Sequence, residues 1–200
     1  EQDARALNPG FVSRMTRGRP WVRSKLAVSL DGRTALADDP ALTVRLEGGE
    51  AAWRQPLRVV VDSGLRISSQ ARIFQGAGPC CIATLEADAT KQQAFVAAGA
   101  VLLNLPAADG RVDLEALMRA LAGRECNEVL VEAGPALNGA LLQAGLIDEL
   151  IVYMAPHVLG DTARGMFAIP ALAAMDARQE LKLIDLRQIG GNLRLIFSVE

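Results

Sequence analysis

Apolar and polar residues alternate from Trp21 to Leu30, with Val22, Leu26, Val28 and Leu30 on one face and Arg23, Lys25 and Ser29 on the other. A period of two predicts a strand with one core face and one cationic face. On pattern alone, the cationic face fits a solvated edge equally well. The twenty residues before it are polar and irregular, closing at Gly18, Arg19 and Pro20. Further on, Leu57–Asp62 (LRVVVD) and Cys80–Thr84 read as buried strands. Ala89–Ala98 reads as a helix closed by Gly99, and Val101–Leu105 as a strand. Asp113 is placed to cap a helix whose Leu114, Leu117, Met118 and Leu121 share one face, with Gly123 closing it.

A strand over Glu128–Val131 leads to a turn at Gly134 and Pro135, a helix over Ala136–Ala144 ended by Gly145, and a strand over Glu149–Ala155. Strands alternating with helices predict an α/β domain with a mostly parallel central sheet flanked by helices. The tail differs: Leu181–Arg187 and Leu193–Val199 are strands joined at Gly190 and Gly191, a C-terminal antiparallel hairpin on one sheet edge.

Composition narrows the class. The 200 residues are 50% apolar, enough for a real core and too apolar for disorder. No apolar run reaches the roughly 18 residues of a spanning helix, so a membrane protein is not expected. The net charge is -2 and basic residues are scattered, so nucleic acid has no cationic patch to bind. Cys80, Cys81 and Cys126 make an odd count without CxxC spacing, which points to a reducing cytoplasm. His157 is alone, and no metal is expected. The chain opens at Glu1 without a signal-peptide pattern and is expected to be a fragment, or the ordered part, of something longer.

The richest stretch chemically is Glu128–Leu142 (EVLVEAGPALNGALL). Pro135 suits a first helical position, and the small residues after it let helix N-terminal amides approach a phosphate. Glu132, at the carboxyl end of its strand, would face the crevice where open α/β sheets bind ligands. An ordinary strand-turn-helix connection explains the same pattern. Ser29–Gly32 (SLDG) is a turn signal. Arg45, in the loop DDPALTVR from Asp38, fits a phosphate clamp or a surface charge. Ser63 ends a strand, where its hydroxyl could meet a ligand. With no nucleophile paired to a base, chemistry carried by a cofactor, such as hydride transfer, is indicated.

Four stretches in order, KLAVSLDGRTA (25–35), DDPALTVR (38–45), RQPLRVVVDS (54–63) and VEAGPALNGALLQAGLIDELIVYMAP (131–156), strongly resemble the reductase domain of the bacterial riboflavin-biosynthesis RibD family. The resemblance implies a dihydrofolate-reductase-like fold, a homodimer, and NADPH-dependent reduction of 5-amino-6-(5-phosphoribosylamino)uracil. It implies cofactor contacts at Ala27, Asp38, Ser63 and the run Gly134, Pro135, Ala136, Leu137, Asn138, Gly139 and Ala140. Substrate contacts are implied at Leu42, Arg45 and Glu132, with Lys25 facing the sugar. Lys25 and Glu132 are the titratable candidates for catalysis. The reductase domain would occupy residues 20–200, and residues 1–19 would resemble the segment connecting it to an N-terminal deaminase.

Two departures from the family stand out. The deaminase motifs HxE and PCxxC are absent, so deamination is not assignable to this chain. The family also has about three dozen residues between DGRTA and DDPALTVR, which here nearly touch. That segment supplies a serine and an arginine to the substrate, and a tryptophan and a threonine to the cofactor. The junction is either a true deletion or the trace of a loop passed over in the numbering. The second is favoured, because a deletion would remove part of the site. Competing readings are a same-fold reductase of a pteridine, which would not need a phosphate clamp, and a non-catalytic dimerisation domain.

Overall fold

The computed structural model describes residues 7–34, 39–44, 46 and 53–199. The chain divides into two units, Glu1–Leu36 with Met118–Glu200, and Ala37–Leu117. Its first elements are α1 (Pro9–Arg17), β1 (Trp21–Ser29), β2 (Arg33–Thr34), β3 (Arg58–Val61) and β4 (Cys80–Thr84). There follow α2 (Ala89–Ala97), β5 (Ala100–Asn104), β6 (Ala107–Ala108), β7 (Arg111–Val112) and α3 (Leu114–Gly123), which crosses the division. The remainder is β8 (Glu128–Val131), α4 (Pro135–Gln143), β9 (Glu149–Ala155), β10 (Arg164–Gly165), β11 (Leu181–Ile189) and β12 (Asn192–Val199).

In the first unit a five-stranded sheet runs β11-β12-β9-β1-β8. β1 is parallel to both β8 and β9, and the hairpin β11–β12 adds antiparallel strands beyond β9, as the pattern predicted. Leu26 and Val28 of β1 pack with Leu150 and Val152 of β9, and Met166, Phe167, Leu195 and Phe197 surround them. Removing such side chains from water is worth roughly 1.5–3 kcal/mol each. Ser24 shares the core face of β1 and is fully buried. The predicted alternation fails at its end. Leu30 is exposed and Ser29 is buried, because the strand stops at Ser29, whose hydroxyl bonds Asp31 and also accepts from the Arg33 amide.

Within the stretch read as irregular, Pro9–Arg17 form the helix α1. Asn8 caps it by accepting from the Phe11 amide at 3.1 Å, Pro9 takes the first turn, and Gly18 closes it at φ 65°. Polar contacts hold the adjoining segment. The nearly buried Asp148 carboxylate accepts from Arg17 at 2.7 Å, from both Arg19 nitrogens at 2.8 Å and from the Val22 amide at 2.8 Å. A Cβ at Gly10 would lie 2.8 Å from the Asn127 carbonyl oxygen, so the helix approaches the chain before β8 closely.

In the second unit β3, β4 and β5 form a parallel sheet with β4 in the middle and buried throughout. Ile82 and Cys80 pack with Phe74 and Phe95, whose rings meet edge to face at 5.8 Å. The strand read as uniformly buried is otherwise: Val59–Val61 are half-buried, while Arg58 is buried. Its guanidinium donates to the carbonyls of Ile73 (2.6 Å), Gly76 (2.8 Å) and Gly78 (2.7 Å), which makes its burial tolerable. Asp113 caps α3 as predicted, accepting from the Ala116 amide at 3.0 Å. Gly123 is the last helical residue and not the residue beyond it; Glu125 takes the left-handed conformation, at φ 62°.

The Asp148 clamp yields a stability prediction. Asp148→Ala strips the acceptor from two arginines and an amide, leaving donors near the core unpaired. A loss of about 2 kcal/mol is expected, moderated by the partial exposure of Arg17. A lowered urea midpoint with unchanged slope is the signature, and an unchanged midpoint would show that the clamp contributes nothing.

Candidate active site

Parallel pairing builds the centre of the candidate site. The β1–β8 register aligns Ser24 with Val131, so the next residues, Lys25 and Glu132, emerge side by side at the carboxyl end of β8. Lys25 Nζ donates to Glu132 Oε1 at 2.8 Å, with both side chains partly open to solvent. Ala27, two residues on along the same face of β1, is exposed. These candidates are brought together within one unit.

The turn after Glu132 opens α4. Gly134 is its N-cap, in extended conformation at φ -75° and ψ 175°, and no side chain caps the helix. The first helical amides lack intrahelical acceptors, and small residues surround them. A Cβ built on Gly134 meets nothing within 4 Å, so the space before the helix is open. Gly134 and Ala136 are exposed, while Pro135, Leu137 and Ala140 are half-buried.

Asn138 and Gly139 face inward. Asn138 is fully buried; its Oδ1 accepts from Ser24 Oγ at 2.8 Å and its Nδ2 donates to the Ala133 carbonyl at 2.7 Å. It therefore ties the turn to β1 between the neighbours of Lys25 and Glu132. A Cβ on Gly139 would lie 2.5 Å from the Ala168 carbonyl oxygen, so this glycine permits close packing. The sequence reading missed the role of Asn138, although a polar residue among small apolar ones, and Ser24 on a core face, were both signals.

The other candidates belong to the second unit. Ser63 follows β3; its Oγ accepts from the Val112 amide at 3.1 Å, and its carbonyl accepts from the Leu85 amide at 3.1 Å. Beside it, buried Asp62 accepts from the Ile67 amide at 2.7 Å and fixes the following loop. Leu42 is half-buried against that unit's core at φ 51°, a left-handed conformation unusual for a branched side chain. Asp38 and Arg45 lie outside the described residues. Among the described residues no cluster of His, Cys, Asp or Glu could hold a metal ion.

In the turn after β1 lies the carboxylate of Asp31. Hydrogen bonds from Ser29 and from the Gly160 and Leu159 amides hold its pKa at about 2, below the ordinary 3.8. The turn reading of SLDG holds, since the Gly32 amide donates to the Ser29 carbonyl at 3.0 Å, but it omitted these distant partners.

Comparison with known proteins gives this geometry a family. The model of the RibD C-terminal domain matches residues 33–195. The riboflavin biosynthesis protein RibD of Escherichia coli is 37% identical over 237 positions, covering 96% of this chain and 64% of that protein. The chain thus spans just under two thirds of that relative. Because the alignment is longer than the 200-residue chain, the relative carries residues with no counterpart here. A 5-amino-6-(5-phosphoribosylamino)uracil reductase of Buchnera aphidicola is 30% identical, with 88% of each chain covered. Among solved structures, Acinetobacter baumannii RibD in one crystal form superposes with a TM-score of 0.85 at 30% identity, over 98% of this chain and 62% of that one. The α/β arrangement with its parallel strands and antiparallel hairpin is that of RibD reductase structures, the dihydrofolate-reductase-like fold expected from the motifs. Matched along most of its length in sequence and in structure, the chain belongs to the RibD C-terminal domain family.

Proposed function

We propose that this chain reduces the ribosyl group of 5-amino-6-(5-phosphoribosylamino)uracil to the ribitylamino product, using NADPH. Kinship with the Buchnera reductase over 88% of both chains supports this reading. The observation that carries it is the Lys25–Glu132 pair, set beside an uncapped helix start at the carboxyl ends of parallel strands.

The residues present fit a dinucleotide. The open space before Gly134 and the uncapped start of α4 suit its phosphates, with Ala27 on the exposed face of β1 as a further contact; Ser63 is assigned to the cofactor by the family resemblance alone. Asp38 is assigned to the same group. When bound, the reduced nicotinamide supplies a hydride. The chain's own groups prepare the acceptor carbon. Ring opening needs a proton on the ribosyl ring oxygen and leaves C1 as an iminium, which accepts the hydride and becomes the amine carbon. In this reading Lys25 Nζ delivers that proton, and the Glu132 carboxylate balances the iminium charge. Leu42 and Arg45 are assigned to the substrate, Arg45 through the planar match of guanidinium to phosphate.

Oligomerisation belongs to the same reading. Leu150 and Val152 of β9 are buried between β1 and β12. On the edge strand β11, by contrast, Leu181, Leu183, Ile184, Leu186 and Ile189 are exposed. A second copy of the chain covering them makes a homodimer, since an apolar edge strand invites pairing. The free thiols of Cys80 and Cys126 suit a reducing cytoplasm.

NADPH at a hundred times its dissociation constant should stabilise the protein by about 2.7 kcal/mol. Gly134→Val has room to fold, but its branched side chain would occupy the phosphate space, so the unliganded melting temperature should stay and the NADPH-induced rise vanish. A retained rise would remove the phosphate assignment. Glu132→Gln should lower kcat by about a hundredfold with little change in KM. Arg45→Lys should instead raise KM for the pyrimidine about tenfold, a loss of roughly 1.4 kcal/mol. Neither change should alter NADPH affinity, and wild-type kinetics in both variants would displace the substrate site from these residues. Light scattering at micromolar concentration should give the mass of a dimer, and Leu183→Asp should shift it toward the monomer. A monomeric wild type would refute the interface.

A further inference from the structure

We propose that Asp31 is a positioning residue for cofactor binding, acting through the segment His157–Ala168, which it pins across the carboxyl end of β1 while the segment's far end abuts the start of α4. This rests on the cofactor reading above and adds to it a residue and a segment outside the assigned contacts.

The motif holding Asp31 could have been a local turn. Yet the exposed Asp31 carboxylate accepts from the Gly160 amide at 2.8 Å and the Leu159 amide at 3.2 Å, residues about 130 positions away in sequence. Bonds to an ionised acceptor are stronger than neutral ones. Three further contacts run alongside. The Leu30 amide donates to the His157 carbonyl at 2.8 Å, Arg33 donates to the Ala163 carbonyl at 3.2 Å, and β2 pairs with β10. The turn after β1 is thus stitched to the segment along its first half.

The second half reaches the helix start. Met166 and Phe167 pack on the core formed by Leu26, Val28, Leu150 and Val152. The Ala168 amide then donates to the carbonyl of Pro135, the first residue of α4, at 2.9 Å. Gly139, one turn further along α4, has no space for a Cβ against the Ala168 backbone. One segment therefore joins the end of the strand carrying Ala27 to the turn proposed for the phosphates. Its apolar anchor at Met166 and Phe167 does not depend on Asp31. Losing the carboxylate should therefore release the residues near Leu159 and Gly160 without unfolding the sheet.

The test compares wild type with Asp31→Ala, Asp31→Asn and Asp31→Glu in the full chain. NADPH dissociation constants come from fluorescence titration, and KM values for NADPH and the pyrimidine are measured separately. The rate of tryptic cleavage after the exposed Arg164 is also followed. Asp31→Ala should weaken NADPH binding about tenfold and raise the NADPH KM in parallel. The pyrimidine KM and the melting temperature should hardly move, and cleavage at Arg164 should accelerate. Asp31→Asn keeps one acceptor oxygen and should fall between, and Asp31→Glu should recover part of the affinity. Unchanged NADPH binding in Asp31→Ala overturns the proposal. So does a rise in both KM values together with a fall in melting temperature, which would make Asp31 merely structural. A wild type that fails to bind NADPH at all would instead overturn the cofactor reading, and this proposal with it.

Discussion

A hydroxyl buried in the middle of a core strand must find a partner, and most of the candidate site is arranged around the one it finds. Ser24 and Asn138 are both fully buried and bond each other at 2.8 Å. Unpaired, each would carry the desolvation cost of a buried polar group, about 1–3 kcal/mol. Pairing ties α4 to β1. The remaining capacity of the Asn138 amide goes to the Ala133 carbonyl and ties the turn as well. Since Ser24 precedes Lys25 and Ala133 follows Glu132, the polar bridge in the core sets the separation of the ion pair outside it. A helix packed by apolar contacts alone would be free to slide by fractions of a turn. A hydrogen-bonded amide allows far fewer arrangements.

What was legible in the sequence was whatever local periodicity or turn chemistry encodes. The two faces of β1, the capping of α3 by Asp113, the turn into α4 and the terminal hairpin all follow from residues close together in the chain. What escaped depends on distant partners. The apolar Phe11 and Met15 of α1 are exposed, and the end of the helix and the residues after it are fastened by Arg17 and Arg19 to the distant Asp148. Arg58 sits in a valine-rich run that reads as its opposite. The run looks apolar, yet the arginine is the buried member, because three loop carbonyls converge on it. No pattern within six residues announces such a convergence. The acidic turn at Asp31 was visible, but not the amides it holds.

The candidate site was legible in a different way. Spacing and residue type identified the helix start and Glu132 unaided, whereas Ala27, Leu42 and Asp38 came only through resemblance to a family. An exposed alanine carries no chemical signal of its own; its value lies in leaving the face of β1 unobstructed. Leu42 does carry a physical mark that sequence cannot show, its left-handed backbone at φ 51°. Such a conformation costs of order 1–3 kcal/mol in a branched residue and persists only where the surroundings impose it.

The two glycines of the motif GPALNG show how one short stretch serves opposite needs. Gly134 borders empty space, so its missing side chain leaves room outward, where a ligand's phosphates could approach the helix amides. Gly139, a turn and a half further on, borders the backbone of Ala168 at a distance no Cβ tolerates, so its missing side chain leaves room inward. If small residues were wanted only for phosphate access, Gly139 could be any residue facing the interior. If they were wanted only for packing, Gly134 could be any good N-cap. Serine or aspartate at Gly134 would cap the helix better than glycine does, but would also fill the first-turn amides with the protein's own oxygen. An uncapped start that the chain could easily have capped is what keeps those donors available.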